Sequence, residues 1–464
     1  MHGFRLFIDF GSTFTKVVAF DMEKEALAAR VQAPSSVDTD ITIGLNAALR
    51  RLGETIPTRD EDIRRALTCS SAAGGLRMVC VGLVPEYTTE AGRLAALGAG
   101  AKVVGTYSYE LTRSETEAIT AIAPDIILLT GGTDGGNKSN ICHNAGMLAG
   151  TGDSVKNIIV AGNKSAVDEI QRIFSATDKE VVYTKNVMPE FGELNIDPVN
   201  EKIRELFIRH ITEAKGIARV RDMIGDVLMP TPSAVLEAAK LISGGAKGEP
   251  GLGELLLVDV GGATTDVYSI ASGVPTKSGV NVIGLPEPYA KRTVEGDLGL
   301  YHNLDALAEL AARESTMEHE QETQGAAFQE RIRALRDVMS VPVGKEQTND
   351  QLRLSRKAVE AAVDRHAGRL ERKFTHNGEI WFQRGKDLSN VGIVLGGGGP
   401  LAFSSDPRYV LEGATAGQGA SAILKPRSPC YIIDSKYILY AIGLLAESEP
   451  EKALRIAKKY LKRL

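Results

Sequence analysis

Four cysteines, Cys69, Cys80, Cys142 and Cys430, are spread through 464 residues and form no C-x-x-C pair. That spacing excludes a zinc ribbon or a disulfide framework and reads as reduced thiols of a cytosolic protein. It also leaves a single chain without the clustered thiolates of an iron–sulfur centre. Long apolar runs are missing too. The longest, such as "IILL" and "ELLLVDV", fall far short of the roughly 20 residues that span a bilayer. "MHGF" leads straight into a strand with no signal-peptide pattern, so the expectation is a soluble, cytoplasmic protein with no membrane partner. There is no basic excess: 54 Lys and Arg stand against 59 Asp and Glu, for a net charge of −5. Nucleic acid is therefore not an expected partner. Two nucleotide fingerprints are absent as well. No G-x-G-x-x-G closes a strand-to-helix turn, and no G-x-x-x-x-G-K-[ST] occurs; "AGNKSA" at 161–166 has the wrong order and no upstream glycine.

What remains is an ordinary globular composition, 43% hydrophobic and 24% charged, in a chain too long for one core. The opening "RLFIDFGS", "TKVVAFDM" and "AARVQAP" read as strands, followed by a helix, "DITIGLNAALRRLG", that Asp40 can cap. "ALTCSSAAGG" returns to a strand. Between Leu76 and Lys185 five β-rich runs alternate with four helical patterns, which predicts a doubly wound parallel sheet. Residues 200–244 read as helical and "GGAKGEPGLG" (244–253) as a flexible connection. A strand hairpin is expected at 254–270, a charged helical stretch at 303–375 and a buried strand at 391–400. The C-terminal "EPEKALRIAKKYLKRL" is amphipathic, with Ala453, Ile456, Ala457, Tyr460 and Leu464 on one side.

Chemistry concentrates in a motif that occurs twice. "IDFGSTFTK" (8–16) runs a strand into Asp9, Gly11, the hydroxyls Ser12, Thr13 and Thr15, and Lys16. "LLLVDVGGATTDVYSI" (255–270) repeats the layout with Asp259, Gly261, Gly262, Thr264 and Thr265. Glycine lets backbone N–H groups approach phosphate oxygens, hydroxyls add donors, and an aspartate at a strand end holds Mg²⁺ through its water shell. A third element, "IVLGGGGP" (393–400), ends a strand in four glycines that allow backbone to lie flat against a base or ribose.

DFGSTFTK, DVGGATTD and LGGGGP in that order resemble the actin, Hsp70 and sugar-kinase ATPase superfamily, in which duplicated ribonuclease-H-like domains close over Mg-ATP. "YILYAIGLLA" (437–446) is similar to its second interdomain connection, with Ala441 and Gly443 at a helix contact, and "TVEGDLGL" (293–300) to the Gly–acid turn after the second hairpin. "TCSSAAGGLRMVCVGLVPEYTTEAGRLAALGAGAKV", "PDIILLTGGTDGGN", "MPTPSAV" and "EGDLGL" together resemble the glutamate mutase L family, unrelated to the mismatch-repair protein of similar short name. The resemblance implies an ATP-driven reactivating chaperone that releases damaged cobalamin from an adenosylcobalamin-dependent mutase. It implies Asp9 and Asp259 around Mg²⁺, with Asp259 polarising the attacking water. Gly11, Ser12, Thr13, Thr15, Lys16, Gly261, Gly262, Thr264 and Thr265 then form the phosphate side, and Gly397, Gly398 and Gly399 the adenosine side. Asp266 reads as a brace for its own hairpin.

The implied fold class is α/β: a duplicated ribonuclease-H-like ATPase with an inserted flavodoxin-like βα domain. The expected divisions are 1–75 for the first ATPase subdomain, 76–190 for the insertion and 191–250 for a helical return. Residues 251–436 would form the second ATPase domain, and 437–464 a helix packing back on the first. The insertion resembles the cobalamin domain of the mutases, yet the D-x-H-x-x-G motif that ligates cobalt is missing. It is therefore expected not to coordinate cobalt through histidine, and mimicry of a mutase subunit competes with a decorative role. "LLTGGTDGGN" (128–137) could hold a second phosphate or part of a corrinoid, or be only a tight turn. One other class stays open, a small-molecule kinase on the same fold, as does a homodimer; the large insertion argues against a filament former.

Overall fold

The computed structural model describes residues 4–36, 39–71, 76–152, 154–212, 217–224, 227–314, 332, 344–376, 378–417 and 422–464. The charged stretch "ARESTMEHEQETQG" lies almost wholly outside these residues. The chain divides into two compact units: Met1–Ala19 with Val31–Ser233 and Gly284–Pro288, and Phe20–Arg30 with Ala234–Ile283 and Tyr289–Leu464.

In the first unit β1 (Phe4–Phe10), β2 (Phe14–Asp21) and β3 (Ala26–Pro34) form a meander, and β4 (Leu67–Ser70) joins parallel to β1. Leu6, Phe7, Ile8, Asp9 and Phe10 are all buried, as a central strand covered on both faces requires. The helix Ile41–Thr55 that follows β3 is capped by Asp40, whose carboxylate accepts from Thr42 N at 2.9 Å.

After β4 the chain builds a separate sheet. Its strands are β5 (Arg77–Gly82), β6 (Lys102–Ser108), β7 (Ile126–Leu129), β8 (Asn157–Val160) and β9 (Glu180–Tyr183). All pair in parallel in the order β6-β5-β7-β8-β9. Counted within the insertion this is 2-1-3-4-5, the flavodoxin-like order. Helices Glu90–Gly98, Arg113–Ile122, Ser139–Ala149 and Val167–Phe174 fill the crossovers. Thr112 opens the second of these with a capping box closed by Glu115. The chain then returns through helices Asp197–Thr212 and Ile217–Ile224 to β10 (Met229–Pro230), parallel to β4, which completes the order β3-β2-β1-β4-β10.

A helix, Thr231–Gly244, leads onward. Residues 244–253 are more ordered than their glycine content suggests: β11 (Gly245–Ala246) and β12 (Glu249–Pro250) form a short antiparallel ladder. Gly245 and Gly248 supply the positive φ angles, 85° and 77°, that so tight a reversal demands.

The second unit repeats the first. β13 (Leu255–Val260) and β14 (Thr265–Ile270) form a hairpin, and β16 (Ala290–Glu295) adds antiparallel to β14. β19 (Ile393–Gly397) lies parallel to β13 and β20 (Cys430–Asp434) parallel to β19. The order β16-β14-β13-β19-β20 is that of the first sheet, strand for strand, with β21 (Leu461–Arg463) added antiparallel at the edge. A small sheet, β15 (Val280–Ile283), β18 (Gly378–Arg384) and β17 (Arg369–Thr375), completes the unit. Two meanders each extended by two parallel strands are the ribonuclease-H-like duplication, so the α/β fold class holds, insertion included.

The C-terminal segment belongs to the second unit: β21 pairs with β20, and helix Pro450–Tyr460 buries Ala453, Leu454, Ile456 and Ala457. It also meets the distal half of the β2–β3 hairpin, which groups with the same unit. Tyr460 Oη accepts from Leu27 N at 2.8 Å, and Arg455 holds Glu25 at 2.7 Å.

Helix Leu439–Ala446, which follows β20, crosses helix Thr231–Gly244 backbone to backbone. A Cβ built on Gly443 would lie 1.7 Å from the carbonyl oxygen of Ala234. Gly443→Ala must part the helices and should cost about 1–3 kcal/mol or more in urea unfolding. Gly53→Ala, in a helix with nothing within 4 Å of the new methyl, should be neutral or slightly stabilising in the same measurement.

The start of the second crossing helix depends on Asp434. Its fully buried carboxylate accepts from Ile438 N at 2.6 Å and Leu439 N at 2.9 Å. Burial pushes this carboxyl up to about 6 in spite of those donors. The folded chain thus keeps the proton to higher pH than the unfolded one. The contribution to stability is complete below about pH 4 and is lost as pH rises to about 6. Asp434→Asn should flatten the pH dependence of the unfolding midpoint across that window; an unchanged dependence would assign it to other groups.

Candidate functional site

Both hairpins use one turn. Gly11 N donates to Phe14 O at 3.1 Å, and Gly261 N to Thr264 O at 2.9 Å. A Cβ on either glycine would sit 2.7 Å or 2.9 Å from that same oxygen, so only glycine closes the turn without strain.

The remaining turn carbonyls are drawn back by the chain that follows the third strand of each meander. In the first unit Ser35 Oγ donates to Gly11 O at 2.7 Å and Ser35 N to Thr13 O at 2.8 Å. In the second, Leu300 N donates to Gly261 O at 3.2 Å, and Tyr301 N (2.9 Å) and His302 N (3.0 Å) both donate to Gly262 O. Asn303 Nδ2 reaches Ala263 O at 3.1 Å. The segment "EGDLGL" is therefore a clasp on the second hairpin. Its acids Glu295 and Asp297 are held by Arg365 at 2.7 Å each, which keeps the Asp297 carboxyl below its usual range. With the carbonyls tied inward, the N–H groups of Ser12, Thr13, Gly262, Ala263 and Thr264 have no acceptor among the described residues. Successive N–H groups of this kind form an anion-binding nest.

Asp9 sits one residue before the end of β1 and is 1% exposed. Its Oδ2 accepts from Lys16 Nζ at 2.8 Å. Its Oδ1 accepts from Thr231 Oγ1 at 2.6 Å and from Cys69 Sγ at 3.8 Å. Burial, followed by the charge of Asp9, pushes the Cys69 thiol well up, so it stays protonated and can donate. A carboxylate has about four lone-pair positions, so three donors leave little room for direct metal ligation. The arrangement fits Mg²⁺ held through water and phosphate. No group of three or more His, Cys, Asp or Glu side chains that could hold a metal occurs among the described residues.

Asp259 holds the same strand position in the second unit and is paired in register with Gly397. Gly398, at φ 89°, packs on it: a Cβ there would be 2.6 Å from Asp259 Oδ1 and 2.1 Å from Val260 O. The "GGGG" turn is thus fitted first to the second hairpin. Gly399 is open, with nothing within 4 Å of a built Cβ.

The hydroxyls divide into different roles. Ser12 is exposed and Thr13 half-buried at the turn. Thr15 and Thr265 are fully buried, one residue inside β2 and at the first residue of β14. Thr265 Oγ1 donates to Leu298 O at 2.7 Å, so its hydroxyl serves the clasp. Thr264 Oγ1 donates to Asp266 Oδ2 at 2.9 Å, while Arg292 Nε holds Asp266 Oδ1 at 2.8 Å. Asp266 is thereby a brace between hairpin and β16. Structure brings Asp9, Lys16, Thr231 and Cys69 together, and separately Asp259, Gly397 and Gly398. Thr231, Cys69, Ser35, Asn303 and Arg292 were not singled out by the sequence reading. The only signal for Thr231 was its place after a proline at a helix start in "MPTPSAV".

In the insertion, the glycine loop after β7 is held from within. Asn163 Nδ2 donates to Gly136 O and Asn137 O, and Asn186 Nδ2 donates to Gly132 O, at 3.0–3.1 Å. His143, the one histidine between residues 77 and 183, shares a hydrogen bond of 3.1 Å with Leu111 O.

A protein-family model described as "MutL protein" matches residues 5–461. "Protein MutL" of Clostridium tetanomorphum is 45% identical over 457 residues, 98% of each chain. Solved structures align loosely. Gluconate kinase from Lactobacillus acidophilus gives a TM-score of 0.37 at 9% identity, covering 100% of this chain and 93% of that one. A glycerol dehydratase reactivase gives 0.31 at 12% identity, covering 96% and 100%. The fold therefore rests on the sheet orders, and the lineage on sequence: this chain belongs to the MutL protein family.

Proposed function

We propose that this chain is an Mg-ATP-hydrolysing reactivating chaperone. It would release damaged cobalamin from an adenosylcobalamin-dependent mutase of the glutamate mutase type, so that intact cofactor can replace it. The observation that carries the nucleotide half is the twin hairpin. In two ribonuclease-H-like sheets the same glycine-closed turn has its carbonyls clasped inward, its N–H groups unclaimed, and an aspartate two residues before the glycine. Family membership over nearly the whole chain supports the mutase-directed half.

On this reading each hairpin is a phosphate-binding turn. The N–H groups of Ser12, Thr13, Gly262, Ala263 and Thr264 bind phosphate oxygens. Lys16, held on Asp9, keeps a positive charge beside the first turn. Asp9 and Asp259 would hold Mg²⁺ through its waters, and the ion would neutralise charge that builds on the phosphates. Asp259 orients the water that attacks the γ-phosphorus; the bond to the β–γ bridging oxygen breaks, ADP leaves with that electron pair, and the water's proton passes to the phosphate released. Gly399 offers open backbone to the adenosine. The insertion, with a flavodoxin-like strand order and its only histidine engaged by a backbone carbonyl, is assigned to docking on the mutase by mimicry and not to cobalt ligation.

Asp9→Asn and Asp259→Asn should each lower ATP turnover by about 100-fold or more, the scale on which single electrostatic groups act in catalysis, with circular dichroism unchanged. Turnover unaffected in both variants would remove the assignment. Gly398→Ala, strained at positive φ and pressed against Asp259, should lose turnover alongside Asp259→Asn. Incubation with a mutase carrying inactivated cobalamin, with and without Mg-ATP, tests the partner. ATP-dependent cofactor exchange is expected; phosphorylation of a metabolite without exchange would make the chain a small-molecule kinase.

A further inference from the structure

The first turn of helix Thr231–Gly244 is bonded on two sides within the first unit. On one side Thr231 Oγ1 donates to Asp9 Oδ1 at 2.6 Å, a short charge-assisted bond. Thr231 stands at the first helical position, where a hydroxyl ordinarily serves the helix's own N–H groups as an acceptor; here its proton goes to a carboxylate 222 residues away in sequence. Two residues on, Ser233 Oγ donates to Ala99 O at 3.0 Å. Ala99 ends the first helix of the insertion, Glu90–Gly98, so this bond satisfies a helix-terminal carbonyl of the inserted domain. The approach is close. Gly100 has φ 89°, and a Cβ there would lie 2.7 Å from Ser233 Oγ and 2.9 Å from Pro230 Cβ.

We propose that Thr231 is a positioning residue for Asp9. Together with Ser233 it forms a direct link through which nucleotide at Asp9 is felt by the inserted domain. This inference rests on the nucleotide reading above. The physical basis is competition for one carboxylate. Asp9 already accepts from Lys16, Cys69 and Thr231, and the water shell of a bound Mg²⁺ adds donors to the same two oxygens. The strength of the Thr231 bond then differs between the liganded and free states. That difference is the only currency in which a ligand can shift another element. Ser233 is fixed to Thr231 within the first turn of the helix, and Ala99 to Ser233 by a hydrogen bond. The path from carboxylate to insertion is therefore two hydrogen bonds and three consecutive residues.

Hydrogen–deuterium exchange on the full-length chain, with and without Mg-ATP, tests this when read on peptides covering residues 94–105. Binding is followed in parallel by calorimetry. Wild type should show a nucleotide-dependent change of about threefold or more in exchange there, a modest coupling between sites. Ser233→Ala should bind Mg-ATP and turn it over like wild type, yet lose that change. Thr231→Val should lower turnover by about tenfold or more, the worth of one hydrogen bond to a charged group, and Thr231→Ser should restore it. Comparing thermal unfolding of the two Thr231 variants separates a positioning role from a folding one. Wild type that binds Mg-ATP without any change at 94–105, Ser233→Ala that keeps the full change, or Thr231→Val with normal turnover would each overturn the inference while leaving the nucleotide reading intact. Failure of wild type to bind Mg-ATP at all would remove both.

Discussion

A turn presents its N–H groups to a ligand only when its carbonyls are held on the other side, and that constraint organises both halves of this protein. Each hairpin closes on a glycine N–H that reaches the carbonyl three residues on. Each then needs an outside donor for the carbonyls that remain. The donor comes from the same place both times, the chain just past the third strand of the meander: Ser35 after β3, and Leu300 to Asn303 after β16. The third strand thus has a purpose beyond widening the sheet, because it delivers the clasp. An unclaimed N–H is costly when buried, so these groups are tolerable only where water or a phosphate can reach them.

Within this shared design the two halves are charged differently. The residue five positions after the closing glycine is Lys16 in one hairpin and Asp266 in the other. Lys16 turns back to Asp9 and places a cation against the carboxylate. Asp266 instead is neutralised from β16 by Arg292, which is 4% exposed, and spends its other oxygen on Thr264. Removing one member of so buried a pair leaves an uncompensated charge, so Arg292 and Asp266 hold each other and the hairpin in one arrangement. The first half carries the positive charge suited to phosphate. The second carries steric fit, with Gly398 seated on Asp259 so closely that no side chain can replace its hydrogen.

The hairpins were legible in the sequence because their pattern is local and occurs twice, and the insertion because β and α runs alternate regularly between Leu76 and Lys185. The first clasp was not, since Ser35 lies 24 residues from Gly11 and carries no distinctive pattern; the second was visible only as a Gly–acid turn after the hairpin, without its bonds to the turn carbonyls. Thr231 lies farther still from Asp9 and became visible only when β10 fell beside β4, with Met229 in register with Cys69 and Cys69 in register with Asp9. Thr15 and Thr265 show the limit of reading hydroxyls as donors. Both stand where the returning strand is buried, and one is consumed by the clasp. The glycines of "GGGG" were recognised by type, but their first task, packing on Asp259, is a property of register between β13 and β19.

Where the insertion joins the fold follows from the same registers. β4 is parallel to β1, with Phe10 opposite Ser70, so the end of β4 lies at the same edge of the sheet as the first glycine turn. The chain leaves for the insertion just after Ser71, whose N–H donates to Phe10 O. It re-enters at Leu228, bonded to Thr68 O, and passes through β10 opposite Cys69 and Ser70. The exit to the insertion therefore sits on the Asp9 edge, and β10, parallel to β4, runs toward that same edge and ends there at Pro230, next to Thr231. A domain that leaves the fold at the Asp9 edge, with its first helix bonded to Ser233, two residues from the Thr231 that touches Asp9, is placed to respond to what Asp9 binds. Attachment at this edge restricts how many ways the insertion can move without disturbing the carboxylate, and by linkage it restricts in equal measure how a ligand at Asp9 can bind without disturbing the insertion.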